Sequence, residues 1–278
     1  GIWEMIRAMY SGVSGMRGFQ VKLDVIGNNI ANVNTVGFKA GRVMFKDILS
    51  QSMAGATAPV EGESGGVNPK QVGLGVTVSA IDTLHTAGSA MTTNNPLDLR
   101  IDGDGFFVLS PTGDADGPLY LTRAGNFIID GNRQLVNPDG LFVLSTDGAP
   151  IIIDEGITSV SIAQDGSVLG VDDTGAVVTI AQIGLAIVTN PGGLEKVGSN
   201  LYRLTVNANP DGELGDLLPP NSAVDGTGAI IAGQLEMSNV DLTVEFTEMI
   251  VAQRGFQANS RIITTSDEIL QEVVNLKR

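Results

Sequence analysis

Few residues in this sequence stand in patterns that do chemistry. It has one histidine, His85, and no cysteine, which excludes thiolate nucleophiles, zinc-thiolate clusters and disulfides. His85 sits in the polar run LHTAG with no assignable serine or aspartate partner, and reads as an exposed loop or strand-end side chain. Asp102 and Asp104 could act as paired hydrolase carboxylates, but both head Asp-Gly dipeptides, where turn geometry already accounts for them. SGVSGM around Ser14 misses a nucleophile elbow because Met16 stands where the last glycine is needed. GLGVTV at Gly73 and GDGFFV at Gly103 lack the third glycine of a dinucleotide loop. In TGDADG, 112–117, Thr112 replaces the first carboxylate of a calcium loop and Arg123 stands where the bidentate glutamate belongs. The sequence therefore predicts no enzyme, no cofactor and no metal site.

Composition points to a folded, β-rich chain. The 278 residues are 42 % hydrophobic and 17 % charged, with 36 glycines, which suits a folded chain of turn-punctuated β structure in one large or two modest units. A net charge of −15 argues against nucleic acid, whose affinity comes mainly from surplus Lys and Arg. The charge is uneven. Residues 5–46 carry six basic side chains and one acid, 47–232 carry six and 22, and 233–278 carry four and seven. An acidic middle is thus flanked by two end segments, and its acidity reads as a solvated exterior. No run approaches the ~18 to 20 apolar residues of a membrane span. Arg7 and Arg17 interrupt the apolar positions that a secretory signal would need. The leading GIWE is assigned no role in the fold.

Both end segments predict helices. Met9, Met16, Leu23 and Ile30 form one seven-residue row and Met5, Gly12, Phe19, Ile26 and Val33 another, the pattern of a helix seeking a helical partner. Gly12, Gly15 and Gly18 each lower intrinsic helicity by about 1 kcal/mol, so this helix depends on packing, and small residues let another backbone approach. At the other end, Leu242, Met249, Phe256, Ile263 and Leu270 recur every seventh residue, flanked by Phe246, Ile262, Ile269, Val273 and Val274. Ser238 and Asp241 have capping-box spacing, acids load the first turns, and Lys277 and Arg278 close the far end. One long helix over about 240–276 follows. Matching periods predict that Met9, Met16, Phe19, Leu23, Ile26, Ile30 and Val33 pack against Leu242, Phe246, Met249, Phe256, Ile263 and Leu270.

Between the ends, nine Asp-Gly dipeptides separate short apolar runs, the strongest local hairpin signal. Leu97–Ile101 alternates before Asp102-Gly103 and FFVL follows, which predicts a hairpin there. The fold class is therefore α+β: an antiparallel β sandwich or open barrel in the middle, with the terminal helices forming a coiled-coil-like domain. The predicted divisions are 5–45 with 233–278 as one discontinuous helical domain, an extended arm at 46–75, and an acidic β domain at 76–232.

The ends are also recognisable. NNIANVNTVGFK (28–39), with MYSGVSGM and KLDVIGNNIAN before it, resembles the signature of the bacterial flagellar axial proteins, the rod and hook family. The run from GQLEMSNVDL to the C-terminal EVVNL (233–276) resembles that family's other hallmark, and QVGLGV, LDLRIDGDGFFVL and LTRAGNF its core. The resemblance implies a structural subunit whose terminal helices line a hollow helical homopolymer that transmits motor torque in the flagellar hook or basal-body rod. It implies export through the flagellar type III apparatus, with other axial and junction proteins and an assembly cap protein as partners. Within the family the carboxyl ending looks closest to a short hook subunit, with a distal rod subunit as the alternative. A cell-wall hydrolase or binding module is the remoter reading. Asn28, Asn29, Asn32 and Asn34 are expected to bond backbone at the helix end, and Gly37 to permit the bend before Phe38.

Overall fold

The computed structural model describes residues 1–47, 51–54, 70–72 and 75–276. The predicted arm at 46–75 and the closing pair Lys277 and Arg278 lie largely outside them. The chain forms two compact units. The first comprises Gly1–Ile30, Gly41–Asp82 and Asp241–Arg278, the second Ala31–Ala40 and Thr83–Val240.

The first unit is built on two long helices, α1 (Ile2–Ala31) and α2 (Leu242–Leu276), about 45 and 52 Å long at 1.5 Å per residue. α1 ends at Ala31, so Val33 falls beyond it, in the turn that follows. α2 starts at Leu242 because Asp241 is its cap: the Asp241 carboxylate accepts hydrogen bonds from the Thr243 and Val244 amides at 3.0 and 3.4 Å. Ser238, one half of the expected capping box, instead accepts from the Val240 amide. The strands of this unit are β1 (Gly41–Asp47), β2 (Gln51–Ala54), β3 (Lys70–Val72) and β4 (Val76–Thr83). They form two ribbons, β1 with β4 and β2 with β3.

The second unit is β-rich, with strands β5 (Ala90–Thr92), β6 (Leu99–Asp102), β7 (Phe106–Ser110), β8 (Tyr120–Thr122), β9 (Ile128–Ile129), β10 (Leu135–Val136) and β11 (Phe142–Val143). These are followed by β12 (Ser159–Ile162), β13 (Ser167–Val171), β14 (Val177–Gln182), β15 (Leu185–Ala186), β16 (Glu195–Gly198), β17 (Leu201–Arg203), β18 (Ala229–Ala232) and β19 (Gln234–Glu236). An eight-stranded antiparallel sheet runs β16-β17-β8-β7-β11-β10-β9, with β15 added on β7. A three-stranded sheet β12-β13-β14 and the ribbons β6-β18 and β5-β19 complete it. The sheets are open and the class is α+β.

β7 explains where the core sits. All five of its residues are buried, and because alternate side chains point to opposite faces, Phe107 and Leu109 enter one cluster with Leu99, Phe127 and Ile183 while Phe106 and Val108 enter a second with Leu121, Leu144 and Tyr202. Asp-Gly turns work as expected between β12 and β13, where Gly166 adopts φ 82° and the Asp165 carboxylate accepts from the Ser167 amide. The expected hairpin at Asp102-Gly103 does not form. β6 pairs with β18 instead, Ile101 opposite Ile230, and β7 pairs with β8, β11 and β15. Gly103 and Gly105 take φ near 130°, an extended left-handed backbone open to glycine, so the chain passes between sheets rather than folding back.

Candidate packing site of the terminal helices

In the first unit α1 and α2 run antiparallel along a continuous seam. A methyl group added at Gly12 would stand 3.1 Å from the Ile263 side chain and 3.3 Å from the Asn259 carbonyl, and one at Gly15 would stand 2.6 Å from the Asn259 amide. One added at Gly255 would overlap the Phe19 ring. Further along, Lys22 Nζ pairs with Glu248 at 2.8 Å, and Asn29 donates to the Glu245 carboxylate at 3.2 Å. Each step forward on one helix is matched by a step back on the other. Glycines thus do more than weaken α1: they bring the two backbones close enough for Phe19 and Asn259 to fill the gaps.

Of the predicted packing residues, Phe19 and Ile263 meet the opposite helix, against Gly255 and Gly12. Ile26 is buried, and Met9, Met16, Phe19, Leu23 and Ile30 are half-buried, as are Met249, Phe256, Ile263 and Leu270. Leu242 and Phe246 are 38 % and 49 % exposed. The companion row on α2 is Glu245, Ala252, Asn259, Ser266 and Val273, buried or half-buried at seven-residue spacing. Apart from Val273 its residues are small or polar, so hydrophobic periodicity missed most of the row, although Ala252 and Gly255, the latter facing the Phe19 ring, carried a small-residue signal. Burial raises the Glu245 carboxyl above its ordinary value, as do Glu248 and Asp241, while the bond from Asn29 opposes the rise.

The asparagine turn divides its work. Asn29 is buried and clasps the Gly41 backbone, donating to its carbonyl at 3.0 Å and accepting from its amide at 2.9 Å. Asn28 and Asn34 are exposed. Within the second unit, Asn32 accepts from the Thr35 hydroxyl at 3.0 Å. Gly37 adopts φ 70°, and a side chain there would stand 2.7 Å from the Ala124 amide nitrogen. Phe38 is buried with the Lys196 ammonium 4.4 Å above its ring, a cation–π contact.

Beside that turn lies an ion cluster that sequence reasoning missed. Lys39 Nζ meets Glu236 at 2.8 Å, and Arg123 grips the same carboxylate through Nη2 at 2.7 Å and Nε at 3.2 Å. Lys39 and Glu236 are 1 % exposed and Arg123 8 %. Arg123 also donates to the carbonyls of Ile101, Gly103 and Gly105, and Lys39 to that of Thr86. Burial pushes the Glu236 carboxyl up, but Arg123 and then Lys39 more than offset this and hold it below its ordinary value. Burial lowers the Lys39 ammonium, with Glu236 opposing. The three residues fall in three of the runs that carry the family resemblance: NNIANVNTVGFK, LTRAGNF and GQLEMSN.

Comparison with known proteins accounts for this convergence. Three family models match in order: "Flagella basal body rod protein" at 9–39, "Flagellar hook protein FlgE/F/G D1 domain" at 100–170 and "Flagellar basal body rod FlgEFG protein C-terminal" at 231–276. The chain is 55 % identical to the flagellar basal-body rod protein FlgG of Bacillus subtilis over 99 % of its own length and all of the relative's. It belongs to the flagellar rod and hook family. That membership places it in the bacterial flagellum. Identity to FlgG of Borreliella burgdorferi is 38 %, over 99 % of this chain and all of the relative. The hook protein FlgE of the same organism is 30 % identical, over 98 % of this chain and all of the relative. The hook alignment runs over 452 positions and the Bacillus rod alignment over 275, so the hook relative carries inserted residues that this flagellar chain lacks. These comparisons favour the rod alternative over the short-hook reading drawn from the carboxyl ending.

Proposed function

We propose that this chain is the distal rod subunit of the flagellar basal body, polymerising through its terminal helices into a hollow tube that transmits torque. The observation that carries this reading is how little the helices bury. Across the 30 residues of α1 the buried set is Gly12, Gly15, Gly18, Ile26 and Asn29, and across the 35 of α2 it is Ala252 and Ser266. Meanwhile Trp3 is 76 % exposed, Tyr10 57 % and Ile262 46 %, and Ile6, Val13, Ile269 and Leu276 join them at helical spacing. Two helices with a small, glycine-rich seam and apolar outer rows need further copies to complete their burial. Contacts repeated without ring closure then generate a filament.

On this reading Leu242 and Phe246 serve neighbouring copies, while Met9, Met16, Phe19, Leu23, Ile26 and Ile30 with Met249, Phe256, Ile263 and Leu270 form the pair within a copy. Val33, outside the helix, supports the turn. The partners are other axial and junction proteins and an assembly cap, and export runs through the type III apparatus. Two experiments test the proposal. Immunogold labelling of purified hook–basal bodies should mark the distal rod, and label along the hook would overturn the assignment. A chain lacking residues 5–34 should fail to form tubes, and tubes from it would refute the role of α1.

A further inference from the structure

His85 is the chain's single histidine. Both of its ring nitrogens are shut off from solvent without a hydrogen-bond partner among the described residues. Its ring packs edge-on against Phe106 and Tyr202, with centroids 6.1 and 5.1 Å away, and the Tyr202 hydroxyl is likewise buried without a partner. Such a site tolerates a neutral imidazole and penalises a charged one. Lys39, which follows α1 in the chain, and Lys196, on β16, act on the ring with positive charge. Arg123 and Asp104 share with it the wall of a cavity of about 320 Å³. Of the two carboxylates nearby, Glu236 is already held by Lys39 and Arg123, and Asp104 is exposed to solvent. The cavity does not suit an anion, because all five N–H groups of Arg123 are spent on Glu236 and on three backbone carbonyls.

We propose that His85 is an acid-sensitive latch on the Lys39–Glu236–Arg123 cluster: protonating its ring adds a positive charge beside Lys39 and Lys196 and loosens the segments they anchor. Those segments are 36–40, held by Lys39 and Phe38, and the β5–β19 ribbon that carries Glu236. Burial first, then Lys39 and Lys196, hold the ring at about 4 against an ordinary 6.5. A folded value below the unfolded one means that the opened state takes up the proton first. The stability contributed by neutral His85 is therefore complete above about 6.5 and is lost as pH falls toward 4. The inference goes beyond assembly and holds for a single copy.

The test uses the full chain as a monomer. With one histidine present, the ring resonance is unambiguous in NMR, and its titration midpoint should lie well below 6.5. Amide exchange at 36–40, 84–92 and 234–239, corrected for intrinsic rates, should rise roughly tenfold or more between about pH 7 and pH 5. His85→Phe and His85→Gln should both abolish that rise. A midpoint at 6.5, unchanged exchange, or the same acid response in the variants would overturn the proposal. Should neither variant fold, the titration and exchange of the unaltered chain still decide it.

Discussion

Replacing Glu236 with glutamine should be the most damaging single-atom change available in the second unit. Glutamine keeps the shape and one carbonyl acceptor, so the substitution removes charge while hardly disturbing packing. It leaves Lys39 and Arg123, 1 % and 8 % exposed, as two buried cations without a counter-charge. Breaking a buried pair by removing one partner costs about 3–5 kcal/mol, and here one carboxylate serves two cations, which argues for the upper part of that range. For a unit of this size each kcal/mol lowers Tm by about 2–4 °C, so about 4–5 kcal/mol gives a fall of about 8–20 °C by calorimetry. The control is Arg203→Ala, which removes a pair with Glu195 at 2.8 Å whose side chains are about half exposed and should leave Tm almost unchanged. The pH profile adds a second readout. Because the folded Glu236 carboxyl lies below its ordinary 4.5, its stabilisation is present above about 4.5 and lost as pH falls through the folded value, and Glu236→Gln should lack that limb. A loss below about 1 kcal/mol, or no greater than that of Arg203→Ala, would refute the reasoning that the cluster holds the unit together.

Three further outcomes follow from the same geometry. Gly255→Val should drive the Phe19 ring out of the seam, lowering helicity by circular dichroism and abolishing assembly, whereas wild-type helicity would show that close approach is dispensable. Asp241→Ala removes the α2 cap and should cost about 1 kcal/mol, with Asp241→Asn recovering most of it; chemical denaturation measures both. Phe107→Ala deletes a side chain with no exposure and should cost about 3–5 kcal/mol in the β unit, while leaving exchange along α1 and α2 unchanged.

The sequence made visible whatever depends on local period and turn chemistry. The heptad rows located both helices, and the Asp-Gly signal located turns such as that at Asp165-Gly166 between β12 and β13. Pairing across distance was not legible. β6 joins β18, more than a hundred residues on, because Ile230 supplies the complement to Ile101, a choice that no local pattern records. Half of the helix seam was equally hidden. Apolar periodicity finds Met249 and Ile263 but passes over Ala252, Asn259 and Ser266, which are small or, like Asn259, polar with the side-chain amide donating to the Gly255 carbonyl of its own helix. The ion cluster was invisible for a related reason: Lys39, Arg123 and Glu236 look like ordinary surface charges until the fold brings them within 3 Å.

The central claim is that the terminal helices complete their burial only with other copies of the same chain. Electron microscopy of the purified full-length protein across rising concentration tests it most directly. The account predicts hollow tubes above a threshold concentration, with α1 and α2 at the subunit contacts. Particles that stay monomeric at every attainable concentration, or tubes joined solely through the β-rich unit, would contradict it.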